Sequence, residues 1–296
     1  MSRWKAELAL GFNACIWGVT FVLVKGALGG ISPMLFLLLR FSVATLALGA
    51  LFHGRLRRPG VGGILLKGKD LAAGAMVGGL LFSAYLLQTV GLKSTTPAKS
   101  AFLTGLCTVM VPLLAALVYR IRPRPSEVAG VLTATIGMGL MTLEGPIGSI
   151  SRGDLLTFGA AVGFAAHIVA TGHYAERIGY ELLSITQVAV AAMASLLLVG
   201  WVEVPHIHWQ PLVVWAILIT GVLCTALAFT IQAWAQHYTT STRTALIYAL
   251  ETVVAWITSY CFAGEGLSRR AAVGAALILS GVFLVEVKPL ERREHL

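Results

Sequence analysis

Charge is what this sequence has least of. Only 12% of its 296 residues are Asp, Glu, Lys or Arg, against 57% hydrophobic residues, and the mean hydropathy is +0.83. A soluble domain carries about twice that fraction of charge, so most of the chain is predicted to lie inside a bilayer. Cysteine is scarce as well. Cys15, Cys107, Cys224 and Cys261 all fall within apolar runs and lack metal-like spacing, so they read as small packing residues rather than zinc ligands or a disulfide framework. No Walker-type phosphate loop is present, which argues against nucleotide-driven chemistry, and nothing calls for a cofactor. Apart from the basic 53–70 stretch, read as a cytoplasmic connection, no linker could separate independent domains. The N-terminus has the charged start of a signal peptide. It stays apolar through Trp17 and Phe21 without a small-residue cleavage site, so a retained first helix is expected.

What is present is a series of apolar runs near the length that spans a bilayer. Ten are predicted: Leu8–Leu28, Pro33–Phe52, Leu71–Leu92, Ser100–Tyr119, Glu127–Leu143, Leu155–Ala175, Leu182–Trp201, Leu212–Trp234, Thr244–Ala263 and Ala271–Val287. GGISP (29–33), STTP (94–97), RIRPRP (120–125) and EGPIGS (144–149) punctuate them. The net charge of +9 follows from topology rather than from a nucleic-acid partner. With the N-terminus in the cytoplasm, 15 of the 22 Lys and Arg residues fall in inside loops, 5 in outside loops, and Lys25 and Arg40 within helices. That excess predicts both termini inside, in a bacterial inner membrane.

The chain also repeats itself. Shifted by 144 residues without gaps, 88–142 lies over 232–286: Gln88 meets Gln232, Thr95 and Thr96 meet Thr239 and Thr240, Ala101 meets Ala245, and Gly130 and Gly137 meet Gly274 and Gly281. Five helices per unit is odd, so the second unit (147–296) enters the membrane upside down relative to the first (1–146). Inverted repeats of this kind place a substrate site near the midplane, where the halves meet.

Within that frame one residue stands out. Glu251 lies roughly 12 Å beyond Arg243 along its helix, near the middle of a hydrocarbon core about 30 Å thick. A carboxyl at that depth must face protein or water, either as part of a site or as a protonated, hydrogen-bonded member of the bundle. The repeat sets Cys107 opposite Glu251 and Thr104 opposite Tyr248, so only the second unit offers a carboxylate to an ammonium or a proton. Tyr85 and Gln88 sit one turn apart, matched by Phe229 and Gln232; a glutamine suits a zwitterion or an amide edge, or serves as interhelical glue. Asn13, Trp17 and Thr20 share one face of the first helix, and Phe164, His167 and Thr171 share one of the sixth. Trp17 can stack on a flat substrate or simply pack. His167 can relay a proton or be a satisfied hydrogen-bonder. Arg40 sits deep in the second span and would pair either with Glu251 or with a structural partner such as backbone carbonyls. His206 and His208 lack a third ligand, so no metal is expected. Gly74/Gly78 and Gly159/Gly163 have the spacing that lets helices approach closely.

The runs AFLTGLCTVMVPLLAALVYRIRPRPSEVAGVLTATIGMGLMT (101–142) and ALIYALETVVAWITSYCFAGEGLSRRAAVGAALILSGVFLV (245–285) resemble the paired helices of the drug/metabolite transporter superfamily in its EamA-type ten-helix form. Members often carry Glu-Pro in the ninth helix, whereas here Thr252 follows Glu251, which removes the proline reason for a hinge. The resemblance implies an all-α polytopic protein in which helices one, three, four, six, eight and nine line a cavity and five and ten form scaffold. It implies a secondary transporter, most members exporting small metabolites including amino acids and a few importing them; the alternative is an uncoupled facilitator, or an importer of another small metabolite such as a nucleobase, vitamin or drug. The cluster of Trp17, Tyr85, Phe229 and Tyr248 points to an aromatic or bulky one. Expected partners are the bilayer, a small-molecule substrate and, through Glu251 or His167, protons. A monomer or weak dimer suffices, since the halves already supply both sides of a cavity. A lipid enzyme would need polar catalytic groups gathered at one interface, which the sequence lacks; a scaffold would tolerate loss of Glu251 and the glutamines.

Overall fold

A computed structural model describes residues 3–56, 68–120, 122–142, 151–263 and 269–286. In chain order the helices are α1 (Arg3–Ala27), α2 (Pro33–Leu56), α3 (Gly68–Leu92), α4 (Pro97–Gly105), α5 (Cys107–Tyr119), α6 (Pro125–Thr142), α7 (Arg152–Ile178), α8 (Tyr180–Val202) and α9 (Pro211–Gly221). A π-helical turn (Val222–Leu227) follows, then α10 (Ala228–Ala235), α11 (Ser241–Tyr248), α12 (Leu250–Ala263) and α13 (Arg269–Glu286). α4 runs into α5, α9 through the π turn into α10, and α11 into α12, so these segments make ten membrane spans. Seven are long and apolar enough to cross a bilayer by themselves, while α6, α13 and the jointed α11–α12 complete the set.

The expected spans are all present, but three carry joints that sequence periodicity does not show. At Leu106 the backbone N–H is shared between Phe102 O and Leu103 O, and Val109 N bonds Leu106 O. At Ala249 the N–H bonds Leu246 O, and Thr252 N bonds Ala249 O. Both are short i→i−3 steps that tighten the helix locally, the second one residue earlier in its repeat than the first, since the 144-residue shift sets Leu106 on Leu250. The second immediately precedes Glu251, so this helix breaks there without the missing proline.

The inverted repeat is visible in the contacts at opposite faces. Thr96 caps α4 by accepting from Lys99 N (3.2 Å), and Thr240 caps α11 by accepting from Arg243 N (3.3 Å). Beside the first cap, Asp154 of α7 pairs with Lys99 Nζ (2.5 Å) and accepts from Thr95 Oγ1 (2.8 Å). Beside the second, Glu7 of α1 pairs with Arg243 Nη1 (3.2 Å) and accepts from Thr239 Oγ1 (3.2 Å). A carboxylate, a cation and two threonines thus recur at each end, and at the second Arg3 Nε adds another cation to Glu7 (3.1 Å). α6 packs along α13, and α2 along α8, each against its own counterpart.

Small residues set the close approaches. A Cβ on Gly137 would lie 2.5 Å from Gly274 O, and one on Gly281 would lie 2.6 Å from Gly130 O, so α6 and α13 meet backbone to backbone. Gly78 faces Gln187 O and Val190, and Gly163 faces Ala84. On one face the 203–208 segment staples the α1–α2 turn. His208 N donates to Gly30 O (2.7 Å), Ser32 N to His206 O (3.0 Å), and Glu203 Oε1 accepts from Met34 N and Leu35 N at the start of α2. The His206/His208 pair therefore belongs to a backbone clasp, with its rings 6.4 Å apart.

Candidate functional site

Where the halves meet, the spans enclose a cavity of about 800 Å³, counting the space open to solvent. Six of its twenty lining residues are Trp, Tyr or Phe. Phe229 of α10 sits at the hub, with ring centroids 5.5 Å from Trp17, 6.0 Å from Tyr85 and 5.4 Å from His167. Tyr248 meets Trp17 edge-on at 4.8 Å, and Phe164 meets Tyr85 at 5.1 Å. These tilted and T-shaped pairs hold one another in place and leave faces turned toward the space between them.

Nine of the ten candidate binding residues line this cavity: Trp17, Tyr85, Gln88, Thr104, His167, Phe229, Gln232, Tyr248 and Glu251. The tenth, Asn13, does not. It is buried behind the wall, where its Nδ2 donates to Ala228 O (2.7 Å) and contacts Tyr248 OH (3.4 Å), so it positions α10 and the tyrosine. Thr20 and Phe164 reach the cavity too; Thr171 stays beside His167, its Oγ1 3.4 Å from the imidazole Nε2.

The polar groups divide by what they touch. Gln88 Nε2 donates to Thr104 Oγ1 (3.1 Å), joining α3 to α4. Gln232 Nε2 donates to Gln236 Oε1 (3.2 Å), and Gln236 in turn donates to Ile168 O (2.9 Å). His167 Nε2 faces Gln187 Oε1 at 2.8 Å, so its ring is fixed to α8 while still bordering the cavity. Glu251 differs from all of these. It has no hydrogen-bond or ion-pair partner among the described residues, and its carboxyl stands in the cavity wall.

Trp17 does more than stack. Its Nε1 donates to Cys224 O (2.8 Å) inside the π turn, where the wider winding leaves carbonyls off the i→i−4 ladder. Thr225 Oγ1 donates to Thr220 O (2.7 Å), five residues back, holding the same turn open.

Arg40 corrects the sequence reading. The second helix is not remote from the cavity, and the guanidinium does not rest on backbone carbonyls or on Glu251. Arg40 is part of the wall; its Nε donates to Thr225 Oγ1 (2.8 Å) and its Nη2 to Tyr85 OH (3.1 Å), with Cζ 4.3 Å from the centroid of that ring. The π turn offers the hydroxyl partner that a regular helix pattern would not reveal. Among the described residues, the other walls come from α1, α3, α4, α5, α7, α10, α11 and α12, with none from α6 or α13.

The profile of the EamA-like transporter family matches twice, over residues 4–143 and 151–287. The chain belongs to the EamA-like transporter family. Within it, the chain is similar to an uncharacterized transporter of Archaeoglobus fulgidus, 32% identical across 97% of this chain and 88% of that one. It is also similar to a "probable terminal-alkyne amino-acid exporter" of Streptantibioticus cattleyicolor, 27% identical across 98% of this chain and 96% of that one. A crystal structure matched over 97% of this chain and 98% of its own, at 22% identity, has a TM-score of 0.75 and shares the fold. The protein is thus a multi-pass membrane transporter.

Proposed function

We propose that this EamA-like transporter exports small amphipathic metabolites, amino acids with bulky or aromatic side chains foremost, by alternating access through the central cavity. The observation that carries the reading is Glu251, a carboxyl without a hydrogen-bond or ion-pair partner among the described residues, in the wall of the central cavity. A half-buried carboxyl in that position can serve a substrate ammonium and a proton by turns, which couples export to a gradient. His167, already held by Gln187, is assigned to shaping the site rather than to the relay. The amino-acid exporter among the relatives supports the substrate class.

The moving units are the two repeats, 1–146 and 147–296, rocking about the shared α6–α13 contact. The matched carboxylate–cation clusters of Asp154 and Glu7 close opposite faces. Both termini lie in the cytoplasm of a bacterial cell, an assignment supported by the 15-to-5 excess of Lys and Arg in the loops on that side. One copy suffices for transport, and no catalytic chemistry is assigned to the cavity.

The test is counterflow of labelled amino acids into liposomes holding purified protein, with and without a proton gradient. Glu251→Gln should abolish gradient-driven flux of phenylalanine and tyrosine. Equal uptake by protein-containing and empty liposomes across the amino-acid pool would refute the substrate class. Flux indifferent to the gradient would make the protein a facilitator.

A further inference from the structure

Arg40 is 4% exposed, yet no carboxylate among the described residues neutralises it. An unpaired buried guanidinium is costly and persists where something else repays it. Its surroundings fix its orientation: Thr225 Oγ1 holds Nε, Tyr85 OH holds one hydrogen of Nη2, and the Tyr85 ring lies under Cζ. The two hydrogens of Nη1 have no acceptor among the described residues, and the group borders the cavity. Glu251 lines the same cavity, likewise without an ion-pair partner among the described residues, and the two do not bridge each other. A guanidinium and a carboxyl that share one cavity and leave each other unpaired suit a molecule that carries both a carboxylate and an ammonium.

We propose that Arg40, held by Thr225 and Tyr85, is the carboxylate-binding residue of the transport site, and that with Glu251 it selects zwitterions bearing a free carboxylate. The claim rests on the export reading above and narrows its substrate class. A planar guanidinium with free donors suits a carboxylate, which accepts two parallel hydrogen bonds. A simple anion would meet the carboxyl of Glu251, and a simple amine would leave Arg40 uncompensated. Tyr85 gains a second role, because it holds the arginine through its hydroxyl while its ring packs on Phe229 and Phe164. Thr225 links the site to the π turn, so the anion-binding group and the irregular helix share one hydroxyl.

The experiment compares L-phenylalanine with phenylalaninamide and phenethylamine, which keep the ring and the amine but lack the carboxylate, as competitors of labelled L-phenylalanine counterflow. On the wild-type protein the two carboxylate-free compounds should compete at least tenfold more weakly than L-phenylalanine. Arg40→Gln should shrink that discrimination to within about threefold, and Arg40→Lys should restore part of it, since a point charge remains without the fork. Melting of each purified variant in detergent checks that it is folded. The wild-type comparison needs no variant at all. Equal competition by phenylalaninamide and L-phenylalanine would overturn the carboxylate site while leaving amino-acid transport standing. Unchanged discrimination in a folded Arg40→Gln would overturn the assignment to Arg40. Absence of any L-phenylalanine, tyrosine or leucine flux in the wild type would refute the export reading itself, and the carboxylate site with it.

Discussion

Adding one methyl group to α6 tests how closely α6 and α13 pack. In Gly137→Ala the new Cβ would sit 2.5 Å from Gly274 O and 2.9 Å from Ile278 N, both backbone atoms that no rotamer change can move. The carbonyl contact falls about 0.9 Å short of ordinary van der Waals distance, so α6 and α13 must part along their shared face. Overpacking of this severity costs about 3 kcal/mol, the upper end of the usual range. Helix propensity returns about 1 kcal/mol on replacing glycine with alanine, leaving a net loss of about 2 kcal/mol. Gly49, on α2, has nothing within 4 Å of an added Cβ, so Gly49→Ala gains the propensity term alone. Thermal unfolding of the purified protein should therefore separate the two variants by about 3 kcal/mol, with Gly137→Ala melting lower than wild type. Gly281→Ala pushes on the same interface from the other side, 2.6 Å from Gly130 O. The double variant should lose less than the sum of the singles, because helices already parted have room for the second methyl. Equal melting of Gly137→Ala and Gly49→Ala, or strict additivity of the glycine pair, would refute the backbone-contact reasoning.

Three further perturbations probe other parts of the frame. Asp154→Asn removes the charge partner of Lys99 and weakens the capping box with Ser151, and should cost about 2 kcal/mol in the same melting assay; an unchanged midpoint would count against it. Trp17→Phe keeps an aromatic ring beside Phe229 and Tyr248 but strands Cys224 O, and is expected to lower stability by about 1–2 kcal/mol, with no loss meaning that water replaces the indole. Gly18→Ala would place a Cβ 2.6 Å from Val254 Cβ and 2.8 Å from Glu251 O, displacing α12 at the carboxyl. It should reduce counterflow more than the same loss of stability elsewhere does, and proportionate losses in the two measurements would argue that α12 tolerates the shift.

The ten spans were legible because length and apolarity alone define a crossing, and the repeat because its register survives without gaps. Most of the cavity wall was legible for a related reason. Polar and aromatic side chains deep in apolar helices must turn inward, which drew attention to Gln88, Gln232, His167 and Glu251. Asn13 obeyed the same rule yet went to a backbone carbonyl, since the rule says inward without saying into which space. The partners of Arg40 escaped because a threonine in a π turn and a tyrosine 45 residues away on α3 share no sequence signal with it. The joint at Ala249 escaped because no proline or glycine stands at it, and the joint at Leu106 because its one cue, Gly105, is a residue that other spans carry without a break. They are recorded only in which carbonyl each N–H chooses.

The π turn has a consequence for the cavity beyond the bonds it makes. A π turn holds one residue more than an α turn, so everything after Leu227 stands one position out of phase with α9. One position on an α-helix is about 100° of rotation and 1.5 Å of rise. Closing the wide turn to α geometry would swing Phe229 and Gln232 off the wall together. The hydroxyl of Thr225, donating to Thr220 O and accepting from Arg40, thus sets the rotational phase of the eighth span. On the carboxylate site proposed above, cargo that draws Arg40 toward itself would loosen that setting, and occupancy and helix phase would then be tied through a single side chain.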